Sequence, residues 1–194
     1  ILSLVLIAVA LIVVAAEGAA RVRSRWAQGI ERTTFVAHAL PGIVIAISMV
    51  FVGIRLVPSM YQQIPLLVAA YVVLFASLAV GAIRSAVEQT PVGIDQVARS
   101  LGLSPLRVAW RVNVPLAAPG IAAGAGLVFL ATIKELPATL LLRPTGFETL
   151  STELWRNTSV SDYAGAAPYA MLLVVVAAVP AGLLSMRMER GGSA

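Results

Sequence analysis

Long apolar runs alternate with short polar joints along this chain, and within the runs apolar residues are continuous rather than alternating. A helix needs about 20 apolar residues to cross some 30 Å of hydrocarbon, at 1.5 Å of rise per residue. Runs at or near that length fall at residues 34–57, 64–83, 116–142 and 164–186, and a shorter one opens the chain at 1–16. Lipid leaves no water to satisfy an open strand edge, so each run is expected to be helical. The missing two-residue alternation excludes a barrel. The pattern predicts an all-α, polytopic membrane bundle of about five transmembrane helices, forming a single membrane domain over 1–194.

Composition agrees with that class. Hydrophobic residues make up 59% of the chain and charged ones 12%, with a mean hydropathy of +0.93, whereas a soluble domain carries about 25% charged residues. The chain opens on Ile1 inside an apolar run with no basic segment ahead of it, so it reads as a piece of a longer protein rather than as one that starts with a signal peptide. The net charge of +5 does not point to nucleic acid, because the basic residues flank the spans. Arg21, Arg23, Arg25, Arg32, Arg84, Arg99, Arg107, Arg111, Arg187 and Arg190 follow the first, third and fifth runs, while only Arg143 and Arg156 follow the second and fourth. Positive charge collects on the cytoplasmic side. The C-terminus is therefore expected in the cytoplasm.

One joint is unlike the others. Residues 95–115, DQVARSLGLSPLRVAWRVNVP, are polar, amphipathic and punctuated by Gly102 and Pro105. Helix is expected over 93–100, with Val97 and Leu101 on one face. Gly102 supplies the left-handed position that ends a helix at little cost. Ser104 then caps a second helix with Pro105 at its first position, and Pro115 marks the turn into the fourth span. Leu106, Val108, Trp110 and Val112 give that second helix an apolar contact surface. A compact helix–turn–helix of this kind is a rigid knob suited to a groove on a partner.

The spacing resembles the EAA loop of binding-protein-dependent ABC importer permeases, Glu-Ala-Ala, three residues, Gly, nine residues, Ile, one residue, Leu-Pro. Gln96-Val97-Ala98, Gly102, Val112 and Val114-Pro115 stand at those positions. Gln96 replaces the glutamate, with an acid beside it at Asp95, and valines replace the first alanine, the isoleucine and the leucine. The resemblance implies that Asp95, Gln96, Ala98, Arg99, Gly102, Leu103, Ser104, Pro105, Arg107 and Pro115 meet a cytoplasmic ATPase subunit. ATP would be bound by that partner, since a phosphate-cradling loop needs Gly-Lys-Ser/Thr and the sole lysine, Lys134, follows Ile133. No cofactor is expected in this chain.

Lys134-Glu135-Leu136-Pro137 is the second informative stretch. Ionisable residues in an apolar span cost about 2.5–3.5 kcal/mol each on insertion scales, so they face a cavity or one another. Counted from Pro115, Lys134 stands about 28 Å along the helix, near its outer end, and Pro137 is expected to end or kink it. The pair is either a gate at the pore mouth, with Pro137, or two side chains reaching to the interface. The run KELPATLLLRPTGFET, residues 134–149, together with Ala39-Leu40-Pro41-Gly42, is similar to the ferric-iron branch of the same permeases. It implies the C-terminal half of a two-half permease, which pairs with a second half or an identical chain, receives cargo from an extracytoplasmic binding protein, and sits in the bacterial inner membrane.

Remaining features add little chemistry. A short interfacial helix is expected near 149–157, with Leu150, Leu154 and Trp155 on one face. Gly120 and Gly124 give the fourth span a small-residue face for close helix packing. His38 is the only histidine and the chain has no cysteine, so neither a metal site nor a disulfide is expected, and no set of catalytic side chains stands out. Two other readings stay open. One is an ATPase-independent secondary transporter or channel, which requires ionisable groups near the bilayer midplane. The other is a permease of the same scaffold for sulfate, phosphonate, thiamine or polyamine.

Overall fold

The computed structural model describes residues 40–88, 93–102 and 104–191. The apolar run 1–16, the arginines of the first joint, His38 and Leu103 lie outside the described residues. Among the described residues the regular elements are helical, as the continuous apolar runs require. They are α1 (Gly42–Arg55), α2 (Ile64–Glu88), α3 (Gly93–Ser100), α4 (Pro105–Val108), a π-helical turn (Ala109–Asn113), α5 (Val114–Ile133), α6 (Pro137–Leu142), α7 (Leu150–Ser159) and α8 (Tyr163–Gly191). Two compact units result, one containing Phe75–Val128 and the other Leu40–Leu74 with the residues from Phe129 onward.

In the second unit α1 packs on α6, and α7 packs on α8. Between α1 and α2 the chain makes a 3₁₀ turn at Pro58–Met60, and Gln62 takes a positive φ of 52°. The return is tight because residue 53 is glycine. A β-carbon there would lie 2.7 Å from Leu66 Cδ2 and 2.9 Å from Tyr61 Cδ2. Ile45, Ala46, Leu66, Leu67, Ala70, Tyr71, Ala138, Thr139 and Leu142 form the buried centre of this unit.

The runs 34–57, 64–83 and 164–186 correspond to α1, α2 and α8 in their described parts. By length and composition, residues Tyr163–Gly182 of α8 suffice alone to cross a membrane, while Gly42–Arg55 and Ile64–Ala79 are shorter apolar helices. The span expected over 116–142 does not run as one helix, and it breaks just ahead of Pro137, the residue expected to end or kink it. Its helix stops at Ile133 and restarts at Pro137. Pro137 has no N–H for a helix interior, so it stands where a helix begins.

Pro115 does not form the expected turn either. It is the second residue of α5, a first-turn position that proline tolerates. The change of direction comes just beyond it, where Trp110–Leu116 and Ala118–Ile133 meet at 57°. Pro119 lies inside that second stretch and cannot donate to the carbonyl of Pro115.

Candidate functional site

The break at Lys134–Leu136 exposes backbone groups that a continuous helix would pair internally, and side chains of the break itself, of α6 and of α7 take them up. Glu135 N–H donates to the Thr132 carbonyl at 3.1 Å, and Ala138 N–H donates to Glu135 Oε1 at 3.0 Å. Thr139 Oγ1 donates to the Glu135 carbonyl at 2.8 Å, and the Tyr71 hydroxyl of α2 bonds to Thr139 Oγ1. Ser151 of α7 donates its hydroxyl to the carbonyl of Ile133, the last residue of α5. Hydroxyls thus do at this break what backbone amides do along an unbroken helix.

Glu135 is half-buried and caps α6 from outside. Its carboxylate also rests against the first turn of α1, where a β-carbon at Gly42 would stand 3.6 Å from Oε1 and 3.8 Å from Oε2. The first turns of two helices therefore lie against one carboxylate. Lys134, by contrast, is exposed, and Pro137 is half-buried.

The following loop is braced by charge. Arg143 Nη1 donates to the Phe147 carbonyl at 3.0 Å and pairs with Glu148. Gly146 takes a φ of +78° in the turn between them. Burial pushes the Glu148 carboxyl up, but the hydroxyl of Thr152 at 3.0 Å and then the Arg143 guanidinium more than offset this and hold it below the usual carboxylate range. Thr149 and Thr152 form a reciprocal capping box that starts α7. The helix expected at 149–157 is present as Leu150–Ser159, yet it buries Ser151 and Thr152 while Trp155 is exposed.

In the other unit, the polar insert forms the expected helix pair. Leu101 N–H donates to the Val97 carbonyl at 3.1 Å to end α3, and Gly102 takes a φ of +81°. A β-carbon at Gly102 would meet nothing within 4 Å, so backbone conformation rather than space calls for glycine. Val108 N–H donates to the Ser104 carbonyl at 3.0 Å as α4 begins at Pro105. Ala98 and Val108 are buried, and Arg107, Arg111 and Pro115 are exposed. Val97 of α3, Leu101 just after it and Trp110 of the following π-helical turn are left 59%, 77% and 53% exposed.

Asp95, Gln96 and Arg99 share α3, and their side chains lie outside the described residues, as does that of Pro105. Gly124 is buried and Gly120 half-buried along α5. Sequence reasoning passed over Tyr71, Thr139 and Ser151. The available signal was a hydroxyl in an otherwise apolar stretch, which has to find a partner when it is buried.

A family described as "Binding-protein-dependent transport system inner membrane component" matches residues 7–190. The Fe(3+)-transport system permease protein FbpB 2 of Haemophilus influenzae is 39% identical over 166 residues, which is 86% of this chain and 33% of that protein. The putative 2-aminoethylphosphonate transport system permease protein PhnV of Salmonella typhimurium is 25% identical over 156 residues, covering 80% of this chain and 57% of PhnV. The molybdenum transport system permease protein ModB of Mycobacterium tuberculosis is 39% identical over 88 residues, 44% of this chain and 33% of ModB. The chain thus spans a third of FbpB 2 and little more than half of PhnV. Among solved structures, the MetNI methionine ABC transporter in an inward-facing conformation aligns over 98% of this chain and 92% of its own, with a TM-score of 0.71 at 14% identity, which shows a shared fold. With the family pattern running through nearly all of its described helices, the chain belongs to the binding-protein-dependent transport system inner membrane components.

Proposed function

We propose that this chain is the permease part of an ATP-driven importer and that its cargo is ferric iron delivered by an extracytoplasmic binding protein. The observation that carries the reading is that Val97, Leu101 and Trp110 of one short helix–turn–helix are all left exposed. Apolar side chains left exposed on such an insert suit a protein partner, with tryptophan and arginine as typical anchors. In this reading residues 95–115 seat on a cytoplasmic ATPase subunit within one permease domain, and the C-terminus lies on the same side. ATP is bound by that subunit, and the chain pairs with a second permease half or an identical copy.

Transport then proceeds by alternating access. ATP-driven closure of the ATPase pair draws the two inserts together, and the attached helices rock to open toward the binding protein. The turn at Lys134, Glu135 and Pro137 serves as the gate, because a break in a span is where backbone geometry changes most readily. Gly120 and Gly124 let α5 approach a neighbouring helix closely.

Ferric iron is supported by the 39% identity with FbpB 2 and by the KELPATLLLRP run. A second reading, an oxyanion or phosphonate cargo, is favoured by the similarity to ModB and PhnV. Deleting the permease and measuring accumulation of radioactive ferric iron, molybdate and 2-aminoethylphosphonate separates the two. Loss of iron uptake alone is the expected outcome. Unchanged iron uptake with loss of an anion would transfer the assignment to the second reading.

A further inference from the structure

We infer that Tyr71 and Thr139 are positioning residues for transport, their two hydroxyls holding the Glu135 turn, and with it the start of α6, in register with α2. This inference rests on the proposed importer reading. Thr139 spends its single hydroxyl proton on the Glu135 carbonyl at 2.8 Å. The proton between Thr139 and Tyr71 therefore belongs to tyrosine, and the relay runs from Tyr71 to Thr139 to the backbone of Glu135. Both residues are almost wholly buried, Tyr71 at 2% and Thr139 at 0% exposure.

Stability alone does not call for such a pair. Phenylalanine and valine would fill the same volumes, and replacing both partners of a buried hydrogen bond by apolar groups of like shape is close to neutral. A hydroxyl relay adds directionality, fixing one helix to one carbonyl of the turn. That carbonyl belongs to the residue whose carboxylate caps α6 and rests on Gly42, so the relay determines where the cap sits. The helix that bears the donor ends at Glu88, directly ahead of the polar insert in chain order.

The test uses the full-length permease reconstituted in vesicles with its ATPase and binding protein, reading ATP hydrolysis and ferric iron uptake together. Tyr71→Phe and Thr139→Val are each expected to lower iron moved per ATP by about tenfold, the loss that one buried hydrogen bond of about 1.4 kcal/mol would produce. Hydrolysis and the amount of inserted protein should stay within about twofold of the unaltered permease. Thr139→Ser, which keeps the hydroxyl, should transport normally, and the double variant should be no worse than the poorer single one, as two members of one relay require. Unchanged iron per ATP in both single variants would overturn the assignment. So would loss of insertion, or additive losses with falling hydrolysis, since each marks the pair as a purely structural contact. Should the unaltered permease show no ATP-driven uptake of any cargo, the importer reading fails and the relay with it. ATP-driven uptake of molybdate or phosphonate instead of iron would retire the iron assignment alone, and the same variants are then read with that cargo.

Discussion

Gly42 and Glu135 face one another across α1 and the broken fourth span, so that a β-carbon at residue 42 would stand 3.6 Å from the Glu135 carboxylate. That distance is ordinary van der Waals contact. Gly42→Ala should therefore leave transport near normal, whereas Gly42→Val brings a second carbon layer onto the carboxylate and should displace the cap. Uptake in vesicles at matched expression checks this. Equal activity of the alanine and valine variants would contradict the contact.

Glu135 itself is expected to behave as a helix cap. Glu135→Gln keeps an acceptor for Ala138 N–H, while Glu135→Ala leaves the first turn of α6 without one. Loss of a cap costs about 1 kcal/mol, so the alanine variant should unfold at a lower temperature in detergent than the glutamine variant. The order of the two melting temperatures is the readout.

Gly53 gives a prediction of packing. Its hypothetical β-carbon would fall 2.7 Å from Leu66 and 2.9 Å from Tyr61, closer than real carbons approach. Gly53→Val should destabilise the α1–α2 return by about 1–3 kcal/mol, the usual cost of overpacking. Protease sensitivity near Pro58–Met60 should rise in parallel.

Acid should loosen the loop before α7. The Glu148 carboxyl is held below its ordinary range in the fold, so its contribution to stability is fully present above the unfolded glutamate value of about 4.3. That contribution is lost as pH falls through the lower folded value. Glu148 is substantially exposed, which keeps the effect small. Limited proteolysis between pH 6 and 3 should show loop cleavage rising in the native protein but little pH dependence in Glu148→Gln.

Much of this was readable from the chain. The apolar run that begins at Ile64, the Ser104-Pro105 restart and the Gly102 turn are set by local rules of hydropathy and backbone conformation, and each formed where expected. Pro137 likewise signalled the end of a helix. Pairings between distant residues were not readable. Nothing local says that Ser151 reaches the carbonyl of Ile133, 18 residues away, or that Tyr71 meets Thr139, 68 residues away. Ser151 turns inward to the Ile133 carbonyl and Thr152 to Thr149 and Glu148, hydrogen bonds that the apolar positions of the short helix do not announce. Pro115 misled for a different reason. A proline in a first helical turn and one that ends a segment look alike until the neighbouring Pro119 is considered.

Gly102 links the readable part to function. Its φ of +81° penalises a β-branched residue, while the open space around it admits a side chain that tolerates the left-handed region. Gly102→Val should insert normally but hydrolyse ATP without matching uptake, and Gly102→Asn should retain more transport. Normal uptake by the valine variant would count against a coupling role.

The chain contains no cysteine, so Leu101→Cys places a single thiol in it, at a position of the insert that is 77% exposed. Crosslinking that thiol in intact membranes tests most directly whether residues 95–115 are the seat of an external motor. The account predicts a covalent adduct with an ATP-hydrolysing subunit, its yield changing when nucleotide is added. A thiol labelled from the extracytoplasmic face by an impermeant reagent, with no ATPase adduct, would contradict it.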